Sequence, residues 1–472
     1  MNFKPTTLAL ALAFGACANA PAAESSEVDL LKQQMQALQK QLTVMQSRLD
    51  SITTANPSPT AGSQSTDTQS SRKGDSTQSP LTVTIGKAEA TLYGFADLSF
   101  DSGRDGKQSV RQVSSNLSYL GVRGGRDFGS TGLRGIFQIE TLANISGTPT
   151  ETGGLASRNS FVGLQGSFGK LMLGKTDTPY KRATLKLDPF ASSVGDYNAI
   201  MGNTGGDLRA EFDARIPHSI FYDSPNIGGF HINALVSPGQ KFTNLANSDK
   251  YAFAQGEKVC SGATPGSSGS KPDPGSTLCN DGAFTTAVSL SLGYESGPLG
   301  GSISYERHSA TDRTGDTNGV VSDESAAKIA VSYRIGGNHI AAIVEKFYRD
   351  GGIDPTVNER ARTGYYVSDV QELGHDTDLM LAWAHAAKTP GGPDFGTLDD
   401  KANMYAVGLK HHFDKHASVY AVGALLKQGP GAHYALGAGG HGTAIASPRD
   451  DTGSTIPGQT ISAVSVGMQY AF

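Results

Sequence analysis

The sequence predicts an all-β transmembrane barrel of sixteen antiparallel strands, preceded by an N-terminal α-helical coiled coil and a flexible linker. Three observations carry this reading. From Leu81 onward, segments of about ten residues alternate large apolar side chains with small or polar ones. The connections between these segments alternate short and long. The chain ends on "SVGMQYAF", where Phe472, Tyr470, Met468, Val466 and Val464 share one face. A soluble protein seldom leaves such an aromatic edge bare, because an open edge templates aggregation.

Composition agrees. Gly accounts for 59 of 472 residues, and hydrophobic residues make up only 37%. No run of eighteen apolar residues occurs beyond the N-terminus, which excludes a helical membrane protein. A net charge of −5 is too mild to suggest a nucleic-acid partner.

The first residues, "MNFKPTTLALALAFGACANAPAAES", read as a secretory leader. Lys4 precedes an apolar run, and Ala20 and Ala22 occupy the small-residue positions for cleavage after Ala22. Residues 1–22 are therefore assigned to a signal peptide, and Cys17 is discarded with it. Residues 24–53 follow with Val28, Leu31, Met35, Leu38, Leu42, Met45, Leu49 and Ile52 at alternating spacings of three and four. That is a heptad stripe, and a helix with so narrow an apolar stripe must bury it on copies of itself or on another protein. Residues 54–80 lack any apolar pattern and are rich in Ser, Thr, Gln, Gly and Pro, as flexible linkers are.

The barrel is assigned to residues 81–472. "AVSLSLGYE" sets Val288, Leu290, Leu292 and Tyr294 against Ser289, Ser291, Gly293 and Glu295. "KIAVSYRIG" and "YAVGLKHHF" repeat the pattern. Seven short connections are expected at "RDFGST", "SFGK", "SPNIGG", "SGPLG", "IGGN", "ELGHD" and "FDKHAS". Long loops are expected after about Phe100, Thr141, Lys175, Val236, His308, Arg349, Ala387 and Gln428. Even strand number with short turns at one end and long loops at the other is the outer-membrane pattern. In lipid every backbone group must pair, so the sheet has to close. Phe472 would then end the closing strand beside the first.

Cys260 and Cys279 bracket a Gly/Pro/Ser-rich stretch, and an even pair in an exported chain reads as a disulfide. Neither has metal-site spacing. His411 and His412 are adjacent, hence on opposite faces, and cannot chelate one ion together. "GAGGHG" matches a dinucleotide-binding pattern but opens no helix. No catalytic motif can be assembled, so an enzyme is not expected, and neither metal nor cofactor is assigned.

Residues from about 90 to 472 resemble the general porins of Gram-negative outer membranes. The resemblance rests on "ATLYGFADLSF", "LRGIFQIE", "SRNSFVGLQGSFGKLMLGK", "DPF", "HSIFYDSPNIGGF" and "GMQYAF". It implies a homotrimer of barrels in outer-membrane lipid, each a water-filled channel for small hydrophilic solutes and ions. It implies that Tyr470 and Phe472 belong to the terminal assembly signal. It also implies that the third outer loop, Thr176 to Arg215, folds inward to narrow the pore. In such porins loop carboxylates face a basic wall. Arg158 and Lys175 match basic family positions, and Arg123 and Arg134 fit the lumen side by alternation. Asp177, Asp188 and Asp196 are the expected facing acids. Many family members carry Arg where this chain has Tyr119, which weakens the expected basic cluster. With the N-terminus on the short-turn side, the coiled coil would lie in the periplasm, where peptidoglycan or a periplasmic protein could be its partner. A substrate-selective channel and a barrel-anchored tether are the alternative functions.

Overall fold

The computed structural model describes residues 81–147, 154–202, 212–238, 240–241, 252–253, 284, 286–312, 321–350, 361–389, 399–437, 441, 444–448 and 456–472. The leader, the heptad stripe from Val28 to Ile52, the linker, and Cys260 and Cys279 lie outside the described residues.

Period-two patterning produces strands throughout. They are β1 Thr82–Ile85, β2 Ala88–Arg104, β3 Ser109–Ser115, β4 Tyr119–Asp127, β5 Arg134–Leu142, β6 Ser160–Gly166 and β7 Gly169–Asp177. After the third long connection come β8 Arg215–Asp223, β9 Phe230–Ser237, and the small β10 Gln240–Lys241 and β11 Ala252–Phe253. The series continues with β12 Thr286–Ser296, β13 Leu299–Asp312, β14 Val321–Ile335, β15 Asn338–Asp350 and β16 Thr363–Leu373. It ends with β17 Thr377–Ala386, β18 Ala402–His412, β19 Ala417–Gln428 and β20 Ile461–Ala471. Each pairs antiparallel with its neighbours, and β20 pairs with β2 to close the ring. β3 and β4 form one barrel strand, since they pair with the upper and lower halves of β2. β1 is a short addition to the lower end of β2 and β10–β11 form a separate pair, which leaves a closed barrel of sixteen strands.

The alternation decides which face is which. Val288, Leu290 and Leu292 are exposed on the outside, while Ser289 and Ser291 are buried within. All seven short turns fall where the sequence places them. The first outer connection does not. β2 continues past Phe100 to Arg104, and a four-residue turn, 105–108, replaces the expected long loop. Asp105 builds that turn by accepting the N–H groups of Lys107 and Gln108. The strand continues because Asp101 and Gly103 still fall on the inner face.

The interruption between β3 and β4 has a cause in polar satisfaction. Leu117 sits at φ 49, which throws Asn116 into the interior. There the Asn116 amide donates to Asp97, Ser99 and Tyr420. The hydroxyl of Tyr420 and the amide of Gln469 also donate to Asp97, at 2.9 and 2.8 Å. Asp101 accepts from Ser99, Ser114 and Ser465. Two buried carboxylates therefore stitch the closing strands from inside, where an unmatched polar group would cost about 1–3 kcal/mol. On the outside, Phe472 pairs with Gly94 through both backbone bonds. Its ring covers Gly94 so closely that a Cβ there would lie 2.4 Å from it.

Candidate functional site

The connection between β7 and β8 makes side-chain contacts with the barrel wall. Thr178 caps a one-turn helix, Pro179–Arg182, and Asp196 caps a 3-10 turn, Tyr197–Ala199. From there the segment is pinned to inward-facing positions of the wall. Tyr180 donates its N–H to Ser289 and its hydroxyl to Glu345, and Gly202 N–H reaches the other Glu345 oxygen at 2.8 Å. Ser368 donates to the carbonyl of Leu187, and Arg362 to that of Ile200. The Lys328 ammonium donates to Asp213 at 2.7 Å and to Thr184 at 2.9 Å, all three buried. Breaking such a pair from one side costs about 3–5 kcal/mol, because it strands a buried charge. Phe190, Val194 and Tyr197 pack with Ile343, Met380, Ala384, Met404 and Ala406 in one apolar cluster. This explains why inward positions of β15 to β19 carry apolar side chains that a wholly water-filled lumen would not need.

The last outer connection also reaches this cluster. Tyr434, Leu436 and Ile445 are buried in it, and a Leu436–Ile445 bridge holds them. His441 Nε2 lies 3.2 Å from Asp101, and Arg362 stacks over Tyr434. The sequence places this stretch in the long loop expected after about Gln428. Its buried Tyr434, Leu436 and Ile445 are scattered among Gly and Ala, so no periodicity marks them.

Among the described residues the barrel has sixteen strands, an even count, and Ser289, Ser291, Ser304 and Glu306 are among the buried polar residues of its wall. A family model described as Gram-negative porin matches residues 58–431. The chain belongs to the Gram-negative porin family. Its relatives include outer membrane porin protein 32 of Delftia acidovorans, 23% identical, with 82% of this chain and 95% of that protein covered. Another is the major outer membrane protein P.IB of Neisseria gonorrhoeae, 25% identical over 73% of this chain and 90% of that one. Among solved structures, the anion-selective porin from Comamonas acidovorans shares the fold at 20% identity and a TM-score of 0.60, covering 82% of this chain and all of that one. The outer membrane protein OmpT of Vibrio cholerae, in its trimer form, matches at 17% identity and a TM-score of 0.53, covering 82% and 99%. The porin is an outer-membrane channel protein, and both family and fold speak for a channel rather than an enzyme.

The sequence-predicted charges fall into distinct places. Arg123 lies on the inner register of β4, with its guanidinium 4.8 Å from the Tyr93 ring. Arg158 bonds Glu140 at 2.6 Å and lies 4.7 Å over the ring of Tyr119. Tyr119, the departure from the family's basic position, is thus a platform for Arg158. Arg134 opens β5 beside a short turn and pairs there with Glu89 and Asp127. It lies six residues from Glu140 along the strand, about 20 Å at the usual rise. Lys175 pairs in register with Ser160 and shares the parity of the outward Leu171 and Leu173, next to a register shift.

The acids of the porin's third loop turn onto protein. Asp177 is buried between Lys181 and Arg215, each at 3.0 Å, and Asn159. Asp188 accepts from the N–H groups of Phe190 and Tyr197 and from the Tyr366 hydroxyl. Asp196 accepts from the N–H groups of Ser192 and Asn198. Burial pushes both Asp188 and Asp196 above the usual carboxylate range, and the charge of Asp188 adds to the rise at Asp196. Two of the loop's cations are more open than these acids. Arg182 makes a two-pronged pair with Asp223, and Lys186, about half exposed, lies 3.9 Å from Glu295. Burial, together with Arg334 and Arg182 nearby, lowers the affinity of Lys186 for its proton. "DPF" and "GDYN" were readable as Asp-capped turns, and that signal would have separated bracing acids from solvent-facing ones.

Proposed function

We propose that the porin works as a homotrimer, that the loop between β7 and β8 folds inward to set the narrow point of each channel, and that the narrow point favours anions. The observation that carries this is the use of charge on the loop. Its acids Asp177, Asp188, Asp196 and Asp213 are spent on buried partners. Lys186, by contrast, is about half exposed, 3.9 Å from Glu295, and feels the positive charges of the wall residue Arg334 and of Arg182, which is paired with Asp223. A constriction lined by more open cations than acids attracts anions and repels cations. Arg123, on the inner register of β4, adds to the same sign, whereas Arg158 is matched by Glu140. The Comamonas porin of this fold is described as anion-selective, which accords with the reading.

Wall height supports the trimer. β5 to β9 are seven to nine residues long, against eleven to fifteen for β12 to β15. Tilted strands of that length span about 20 Å or less, short of an apolar band of about 25 Å. A neighbouring copy would shield that low side.

Reversal potentials across planar bilayers under a KCl gradient test the selectivity. The channel should prefer chloride, and the double variant Lys186→Gln, Arg334→Gln should move it toward cations. An unchanged reversal potential in the variant would remove these groups from the narrow point.

The heptad helix is proposed to form a parallel three-stranded coil in the periplasm, bound to peptidoglycan or a periplasmic protein. A peptide of residues 24–53 should sediment as a helical trimer. An unfolded monomer at high concentration would end that proposal.

A further inference from the structure

Phe95 is an apolar aromatic side chain on the inner face of β2, where a water-filled channel has no need of one. Its direction is set by strand alternation. Leu98 and Phe100 face outward, so Tyr93 and Phe95 share the inner face with the buried Asp97 and Ser99. On β4 the outward Leu120 and Val122 leave Tyr119 and Arg123 inside. Tyr93, Phe95, Tyr119 and Arg123 are all partly exposed, and on the inner face the water they meet is that of the lumen. Inner positions packed against the third loop are sealed by contrast: Ile343, Tyr366 and Met404 are each no more than 2% exposed.

These residues form one shelf. The rings of Tyr93 and Tyr119 meet edge to face with centres 6.1 Å apart, and the Phe95 ring lies 5.9 Å from that of Tyr119. Gly121 makes the room, since a Cβ there would run into the Tyr93 ring. Each tyrosine carries a guanidinium over its ring, Arg123 on Tyr93 and Arg158 on Tyr119. Glu140 is the acid of the group. Both its oxygens are taken, one by the Tyr93 hydroxyl at 3.0 Å and one by Arg158 at 2.6 Å. Two guanidinium groups against one occupied carboxylate leave the shelf cationic. Its height is that of the third loop's root. Asn159, next to Arg158, donates to Asp177 at the end of β7 and accepts from Arg215 at the start of β8.

We propose that this shelf is a binding step for planar aromatic carboxylates on their way through the channel, with the carboxylate on Arg123 and the ring against Tyr119 and Phe95. The inference rests on the anion preference argued above and adds to it a choice among anions. A guanidinium matches a carboxylate in two-pronged geometry, and aromatic rings gain from offset or edge contact with other rings. An aliphatic acid of the same charge and similar size finds the first of these contacts and not the second.

Planar-bilayer recordings of the full-length porin in KCl test this, with benzoate and cyclohexanecarboxylate as probes of equal charge and similar size. Benzoate should interrupt the current at a concentration about three- to tenfold below that needed of cyclohexanecarboxylate. Phe95→Leu should bring the two acids to parity, and Arg123→Gln should weaken interruption by both. Equal action of the two acids on a wild-type channel that prefers chloride overturns the shelf and leaves the anion preference standing. A benzoate advantage that survives both variants overturns the shelf as well. A wild-type channel that prefers potassium overturns the anion preference alone if benzoate keeps its advantage, and both readings if it does not. Should Phe95→Leu give no folded barrel, Arg123→Gln decides, and undiminished action of benzoate on it overturns the proposal.

Discussion

The hydroxyl of Tyr366 donates to Asp188 at 2.7 Å, which joins the middle of the third loop to the barrel wall at β16. The same carboxylate takes two N–H groups of its own loop, so one side chain both shapes the segment and fastens it. Tyr197 packs against Tyr366 with ring centres 5.2 Å apart and the planes inclined by 49°, which extends the contact.

Tyr366→Phe is expected to weaken this fastening by about 1–3 kcal/mol, because Asp188 keeps its burial and loses a donor. Single channels should then show more frequent brief closures at unchanged open conductance. Asp188→Ala should be worse, since it also releases Phe190 and Tyr197. A recording from Tyr366→Phe indistinguishable from wild type would mean that the apolar cluster alone holds the loop.

Raised carboxyl affinity for protons at Asp188 and Asp196 sets a pH dependence. In the folded chain these groups hold protons over a range where the unfolded chain has already released them. Stability conferred by the loop should therefore fall as pH rises from about 4 through the raised values, by up to about 1.4 kcal/mol per pH unit for each group. Thermal unfolding between about pH 4 and about pH 9 should show a declining midpoint that Asp196→Asn flattens. A midpoint that climbs over this range would contradict the assignment.

Gly94 is expected to tolerate no side chain, because the Phe472 ring occupies the space of its Cβ. Gly94→Val should displace Phe472 and open the closing pair β2–β20 at its lower end. Folded barrel resisting heat in a gel-shift assay should drop sharply. Phe472→Ala combined with Gly94→Val should regain part of the loss, since the clash is gone. Equal heat resistance in the single variant and the wild type would show that the seam does not depend on this contact.

Most of the ring was legible in the amino-acid order. Lipid on one side and a polar interior on the other force a period of two, and Val288, Leu290 and Leu292 announce it without any tertiary information. Turn chemistry punctuates the strands, as at Gly297, Gly336 and Gly374, whose positive φ only glycine adopts at no cost. The misplaced first loop shows the limit of this logic. Asp101 and Gly103 lack the bulk that marks a strand, yet they continue β2, because partners on β3 and β20 complete their pairing.

Charges were legible as a set and not as an arrangement. The sequence by itself determined that the third loop, Thr176 to Arg215, carries six acids against five bases, and that the last strand ends on Phe472. Only the tertiary structure decided that Asp188 and Asp196 turn onto loop backbone, that Lys328 meets Asp213, and that Tyr119 supports Arg158. The physical reason is range. Strand periodicity and turn residues act over neighbours along the chain. A buried carboxylate is matched by whichever donor the closed barrel brings within about 3 Å of it, and for Asp188 that donor lies more than a hundred residues away.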